Sequence, residues 1–246
     1  MMTDRNKALH ALSARFPGAL LFCVCGVLLF MGRPEIRAQE KENPELQKVY
    51  RQMEAAGRNF RTFSAKLSQK KYTAVLREFG ATETGEFILA RARDGSTMIR
   101  QDISSPGRIV LTIRAGVATV YQPGIKQARI LNLGKNKDKA EFLALGIGQP
   151  PAELQKTFDI TYRGTEMAGG SLCSVLALKP KDPKTAAYYA AIVMWVKQSG
   201  IPIQYKLQEP NNDYLLVTFS GEKLNIKIPD SKFEQKLPKD VEKQSF

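Results

Sequence analysis

Gly85-Glu86-Phe87-Ile88-Leu89-Ala90-Arg91 is the stretch from which the fold is read. Successive side chains of an extended strand alternate between faces, so Phe87, Leu89 and Arg91 form one row and Glu86, Ile88 and Ala90 the other. Two large apolar groups followed by a cation make an unusual row for a closed core. If that face is covered, the guanidinium needs partners, because an unpaired buried charge costs several kcal/mol, roughly. If the strand ends there, the charged head reaches water while its methylene stem covers apolar surface. Periodicity alone leaves both readings of Arg91 open.

The same two-residue period extends to either side. Phe63, Ala65 and Leu67 alternate with Ser64, Lys66 and Ser68, and Ile109, Leu111 and Ile113 alternate with Val110 and Thr112. Turn signals at Asp94-Gly95, Pro106-Gly107, Ala115-Gly116 and Pro123-Gly124 separate the runs, which is the pattern of an antiparallel meander. Further strands are expected at Phe158–Tyr162, Leu172–Leu178, Ala186–Lys197, Ile201–Leu207 and Tyr214–Phe219. Both parities are apolar around Trp195, which marks a central strand covered on both faces. Ahead of the meander, Asn43-Pro44-Glu45 reads as an N-cap, an N1 proline and an acidic first turn. Leu46, Val49, Tyr50 and Met53 then follow at helical spacing up to Gly57. The class is mainly β with helices, α+β.

One segment breaks the meander, between about Asn132 and Phe158. Ala140-Glu-Phe-Leu-Ala-Leu145 is a short helical run, Gly146-Ile-Gly148 ends it, and Pro150-Pro151 starts another helix. Phe142, Leu143, Leu145 and Ile147 are too apolar for a surface loop, and so short a helix is marginal alone. The segment must lean on an apolar surface, as a lid or as a plain covering helix.

The first 38 residues read as a secretory signal peptide. Basic residues precede a charge-free run, Gly18–Gly32, that is too short to span a bilayer in a straight helix, and Ala38 offers a small residue at the cut. An uncleaved anchor is the alternative. Phe22 before Cys23 and Val24 before Cys25 do not make a lipid-attachment site. Removing the leader leaves Cys173 as the single thiol, read as a small buried hydrophobe in a strand, and removes His10, the only histidine. A chain without histidine has no Ser-His or Cys-His nucleophile pair and no histidine-bearing zinc site. No catalytic function, metal or cofactor is therefore expected. Of 37 Lys and Arg, 5 lie in the leader, and of 24 Asp and Glu, 2 do, leaving the remainder at net +10. That charge favours anionic membranes or acidic partners. The basic runs lack interleaved aromatics, so nucleic acid is not an expected partner.

Phe63-Ser-Ala-Lys-Leu-Ser-Gln69 after an N-terminal helix, Gly85–Arg91, Val120-Tyr-Gln-Pro123 in a hairpin, Leu178-Lys-Pro-Lys181, Ser199-Gly200-Ile-Pro202 and Leu237-Pro-Lys-Asp-Val241 occur in this order. Together, over residues 44–242, they resemble the landmarks of the outer-membrane lipoprotein carrier family, the LolA-like proteins. The resemblance implies a strongly curved, open antiparallel sheet, a half-barrel, with helices over its concave apolar face. It implies an N-terminal helix at 39–58 belonging to a domain that continues over 59–242, with a helical lid at about 134–157.

In that family an arginine at the end of the second strand faces the cavity and bonds the lid; Arg91 stands in that place, although the proline that usually follows is here Ala92. The implied cavity is lined by Phe63, Ala65, Leu67, Phe87, Leu89, Leu111 and Trp195. The lid and latch are Arg91, Phe142, Leu143, Leu145 and Ile147. The implied function is a periplasmic, monomeric carrier that takes acyl chains of lipoproteins or lipids from an inner-membrane donor to an outer-membrane acceptor. An envelope lipid sensor or protein-interaction module on the same fold is the alternative.

Overall fold

Asn43 starts the first helix as the sequence leads one to expect. Its Oδ1 accepts from the amides of Glu45 and Leu46 at 3.0 and 3.2 Å, and Pro44 occupies N1. Helix α1 (Pro44–Arg58) runs one residue past Gly57 and buries Leu46, Val49 and Met53. The computed structural model describes residues 43–92, 94–133 and 144–245. The leader reading of 1–38 and the first part of the expected lid, with Phe142 and Leu143, lie outside the described residues.

From Thr62 strands are the dominant regular structure among the described residues. In order come β1 (Thr62–Thr73), β2 (Glu78–Phe79), β3 (Glu83–Arg91), β4 (Thr97–Ser105), β5 (Ile109–Arg114), β6 (Val117–Gln122) and β7 (Gln127–Asn132). After α2 (Pro151–Thr157) come β8 (Phe158–Ala168), β9 (Ser171–Pro180), α3 (Pro183–Ala186), β10 (Ala191–Lys197), β11 (Pro202–Gln208), β12 (Tyr214–Leu224) and β13 (Glu242–Ser245). They form one open sheet in the order β13-β7-β6-β5-β4-β3-β1-β12-β11-β10-β9-β8, with β2 added to β1. The sheet is not closed into a barrel; β8 and β13 are its edges, and the fold class is the curved, open, mainly β one expected.

One side of the sheet carries most of the core. Phe63 pairs with Leu89 and Ala65 with Phe87 across β1 and β3, so the apolar rows meet in register. Ile99, Ile103 and Ile113 extend that face one way, and Phe219, Tyr205, Met194, Leu176 and Ile160 extend it the other. Helix α1 and the segment Ala144–Gly148 close over it, contributing Leu46, Val49, Met53, Leu145 and Ile147. Burying each such side chain contributes roughly 1.5–3 kcal/mol, so this face is the chief source of stability.

The other side of the sheet is covered in two places. Phe233, in a 3-10 turn at Asp230–Phe233, is buried on Ala90 and Met98. Segment Lys227–Phe233 thus covers the back of β3 and β4. A second small cluster joins Ala168, Cys173, Val175, Trp195 and Ile203.

Two features depart from the sequence reading. The strand expected at Ala186–Lys197 begins at Ala191, because Asp182 caps the amides of Lys184 and Thr185 and Pro183 starts the short helix α3. The polar tail Glu242–Ser245 pairs in parallel with Gln127–Ile130, through backbone groups that carry no side-chain signal.

Gly85 has a steric role. A Cβ built there would lie 2.0 Å from the Asp102 carbonyl oxygen, beside the register slip between β3 and β4. Gly85→Ala is expected to lower stability by about 1–3 kcal/mol or more through overpacking, measured as a lower urea midpoint at unchanged slope.

Candidate functional site

The site is built where the inner face of the sheet meets the segment Ala144–Gly148. At the centre of that face Phe63, Phe87 and Phe219 lie edge-on or tilted to one another, with ring centroids 6.1 Å (Phe63–Phe87), 5.5 Å (Phe63–Phe219) and 5.0 Å (Phe87–Phe219) apart. Tyr205 adds a fourth ring 6.1 Å from Phe219. Ala65, Leu67 and Leu89 fill the same face and are buried, while Leu111 packs at its margin, partly exposed.

Segment 144–148 is a turn rather than the continuation of a helix, and all five of its residues are buried. Its backbone reaches so far in because two of its positions are glycine. Gly146 (φ +75°) would place a Cβ 3.0 Å from the Met194 sulfur, and Gly148 (φ +65°) would place one 2.2 Å from the Phe60 ring.

Buried irregular backbone needs hydrogen-bond partners, and the sheet supplies two. Arg91 Nη2 donates to the Gly148 carbonyl at 3.1 Å, and the Tyr205 hydroxyl donates to the Leu145 carbonyl at 2.6 Å. Within the segment, the Ile147 amide donates to Ala144 O at 2.8 Å and the Gly146 amide to Gln149 Oε1 at 3.0 Å. Arg91 therefore combines the two readings: its side chain stays largely exposed at the end of β3, yet it bonds the covering segment at Gly148.

Tyr205 was not singled out from sequence. Alternation through Ile201–Leu207 puts Ile203 and Tyr205 on one side, but a bulge leaves Ile203 unpaired between Pro202 and Gln204. Ile203 joins the outer cluster and Tyr205 the inner core. Full burial pushes the Tyr205 phenol well above the usual tyrosine range.

Trp195 requires a correction. It lies in the outer cluster with Cys173 and Val175, its Nε1 donating to Glu166 Oε2 at 2.9 Å, whereas its neighbours Met194 and Val196 face the inner core. Both parities of β10 are apolar, so sequence could not tell which one met the inner face. Burial raises the Cys173 thiol, in keeping with a packed, unreactive sulfur.

The inner face also has a polar margin. Gln101 Nε2 donates to Gln69 Oε1 at 3.3 Å and Gln69 Nε2 to Glu83 Oε2 at 2.6 Å. Glu83 is thus half-buried on the inner side, while Glu86 is exposed on the outer. Among the described residues no three His, Cys, Asp or Glu side chains come together as a metal site, and no helix is long and apolar enough to cross a membrane.

No protein-family model matches the sequence, and no curated protein matches it. Solved structures do match. A conserved protein from Thermus thermophilus superposes with a TM-score of 0.51 at 10% identity, over 82% of this chain and 99% of that one. MucB gives 0.49 at 14% identity over 78% of this chain, which spans only 63% of MucB. A LolA superfamily protein from Nitrosomonas europaea gives 0.36 at 12% identity, over 77% of this chain and 97% of that one. At such identities the likeness is one of fold: the open sheet with helices over one apolar face is the architecture expected from the sequence.

Tyr205→Phe strands the buried Leu145 carbonyl and is expected to cost about 1–3 kcal/mol at neutral pH, read as a lower urea midpoint. The sign of the pH dependence follows from the raised phenol. The neutral form is the one the fold favours, so the tyrosine's contribution is complete below about pH 10 and is lost as pH climbs further. The stability gap between wild type and Tyr205→Phe should therefore narrow above that pH.

Proposed function

We propose that the protein is a periplasmic carrier that holds the acyl chains of lipoproteins or lipids on its inner apolar face and ferries them toward the outer membrane, with no chemistry of its own. The observation that carries this reading is the buried, glycine-bearing segment 144–148, held over an apolar surface by side-chain bonds from Arg91 and Tyr205 of the sheet. The sequence resemblance adds the direction of transport, from an inner-membrane donor to an outer-membrane acceptor, and the leader-like first 38 residues add the compartment.

Magnitudes support exchange rather than permanent closure. Lifting the segment exposes Leu145 and Ile147, at about 3–6 kcal/mol together, and breaks two hydrogen bonds worth about 1–3 kcal/mol in sum. An acyl chain that buries about ten methylenes on the vacated face returns roughly 8 kcal/mol. The two totals are of the same order, so cargo can displace the segment and a competing apolar acceptor can draw the cargo away.

Arg91 sets the bias between the two states. Arg91→Leu removes the bond to Gly148 and leaves an apolar group at the rim, so it is expected to retain a fluorescent fatty-acid probe more tightly while slowing its transfer to acceptor vesicles. Stoichiometric probe uptake by wild type with that split in the variant supports the carrier reading. Failure of wild type to take up the probe, with a stable protein partner recovered instead, would establish the interaction-module alternative.

A further inference from the structure

At the end of the sheet remote from Arg91, the hairpin joining β1 to β2 projects an apolar tip. Val75 is 85% exposed and Leu76 63% exposed, side by side in the turn Ala74–Arg77, and Phe79 just below is 42% exposed. Isolated surface hydrophobes are ordinary, but here the groups are contiguous and held out on a built support. Tyr72 stacks on Tyr214 at 4.8 Å, and Phe79 meets Tyr72 at 5.2 Å and Tyr214 at 5.8 Å. Lys70 Nζ lies 4.1 Å from the Phe79 ring centre and Lys206 Nζ 4.3 Å from that of Tyr214. The Ala74 amide donates to Asp213 Oδ1 at 2.8 Å, tying the hairpin to the neighbouring β11–β12 turn.

Apart from Arg77 in the turn itself, the order from the tip inward is aliphatic, aromatic, then cationic. That is the profile of a group entering a bilayer interface: aliphatic side chains in the acyl region, aromatic rings at headgroup level, lysines at the anionic surface. The acidic groups nearby do not reverse it. Glu209 and Asp213 are engaged by Lys71 at 2.9 and 3.6 Å, and Glu78 is a single carboxylate beside the three cations Lys70, Arg77 and Lys206 of this end of the sheet.

We propose that the Val75-Leu76 hairpin is a membrane-docking finger that inserts into the surface of an anionic bilayer. The finger stands independently of what the inner face carries.

The test uses the full chain with Cys23 and Cys25 replaced by Ser, the buried Cys173 left in place, and an environment-sensitive fluorophore on Leu76→Cys. The same label on Met167→Cys, an exposed apolar position at the opposite end of the strands, is the control. With vesicles of phosphatidylethanolamine and phosphatidylglycerol, the label at 76 should shift to the blue and the label at 167 should not. Val75→Asp should raise the lipid concentration needed on the order of tenfold. Lys70→Gln and Lys206→Gln should each raise it about fivefold, with a weaker response on phosphatidylcholine alone. An unchanged label at 76, or equal responses at 76 and 167, would show attachment through another part of the chain and overturn the proposal. A blue shift at 76 that follows protein concentration without vesicles would overturn it too, assigning the tip to a second copy of the chain.

Discussion

A backbone segment without regular structure can be buried only if its carbonyls find donors, and this requirement organises the inner face of the sheet. Segment 144–148 lies deep enough to touch Met194 and Phe60 because Gly146 and Gly148 have no side chains to keep it out. Its two outward-facing needs are met by an arginine at the end of β3 and a tyrosine in the middle of β11. One donor is charged and near water, the other neutral and wholly enclosed. The rim bond competes with solvent, whereas the enclosed one is costly to break without a replacement. A cover held in this way is stable when closed and not bound to stay closed.

The two sides of the sheet have different work. Aromatic and aliphatic rows from β1, β3, β11 and β12 converge on the inner side, where α1 and segment 144–148 cover them. The outer side is closed only locally, by Phe233 on Ala90 and Met98 and by the cluster around Trp195. An open sheet of this kind has an interior whose volume is set by its covering elements rather than by ring closure of its strands. The cover can therefore give way while the strand ladder is kept, which is what reversible occupation of an apolar face needs.

How much of this was legible in the sequence follows from which interactions leave a side-chain pattern. The helix cap at Asn43, the period of two through β1, β3 and β5, and the punctuating glycines each act locally, and each was readable. Arg91 was readable as an anomaly because a cation ended an apolar row, though its partner at Gly148 lies 57 positions away. Tyr205 was hidden by a bulge that reverses the parity of β11 at Ile203, and Trp195 by a strand apolar on both sides, where alternation carries no sign. Strand β13 pairs four polar residues through backbone alone, and the cap at Asp182 that shortens β10 was masked by the apolar run after it. The Asp182 cap is local and could have been read from Asp182-Pro183; the other misses are tertiary facts that no window of local sequence contains.

The account's central claim is that segment 144–148 is a cover which cargo displaces. Amide hydrogen exchange at Ile147, whose N–H is buried and donates to Ala144 O, tests this most directly when measured with and without a saturating fatty acid. The claim predicts slow exchange in the free protein and markedly faster exchange when the fatty acid is bound, with the amides of β1 and β3 unchanged. Equal or slower exchange at Ile147 in the fatty-acid complex would contradict it and make the segment a fixed part of the core.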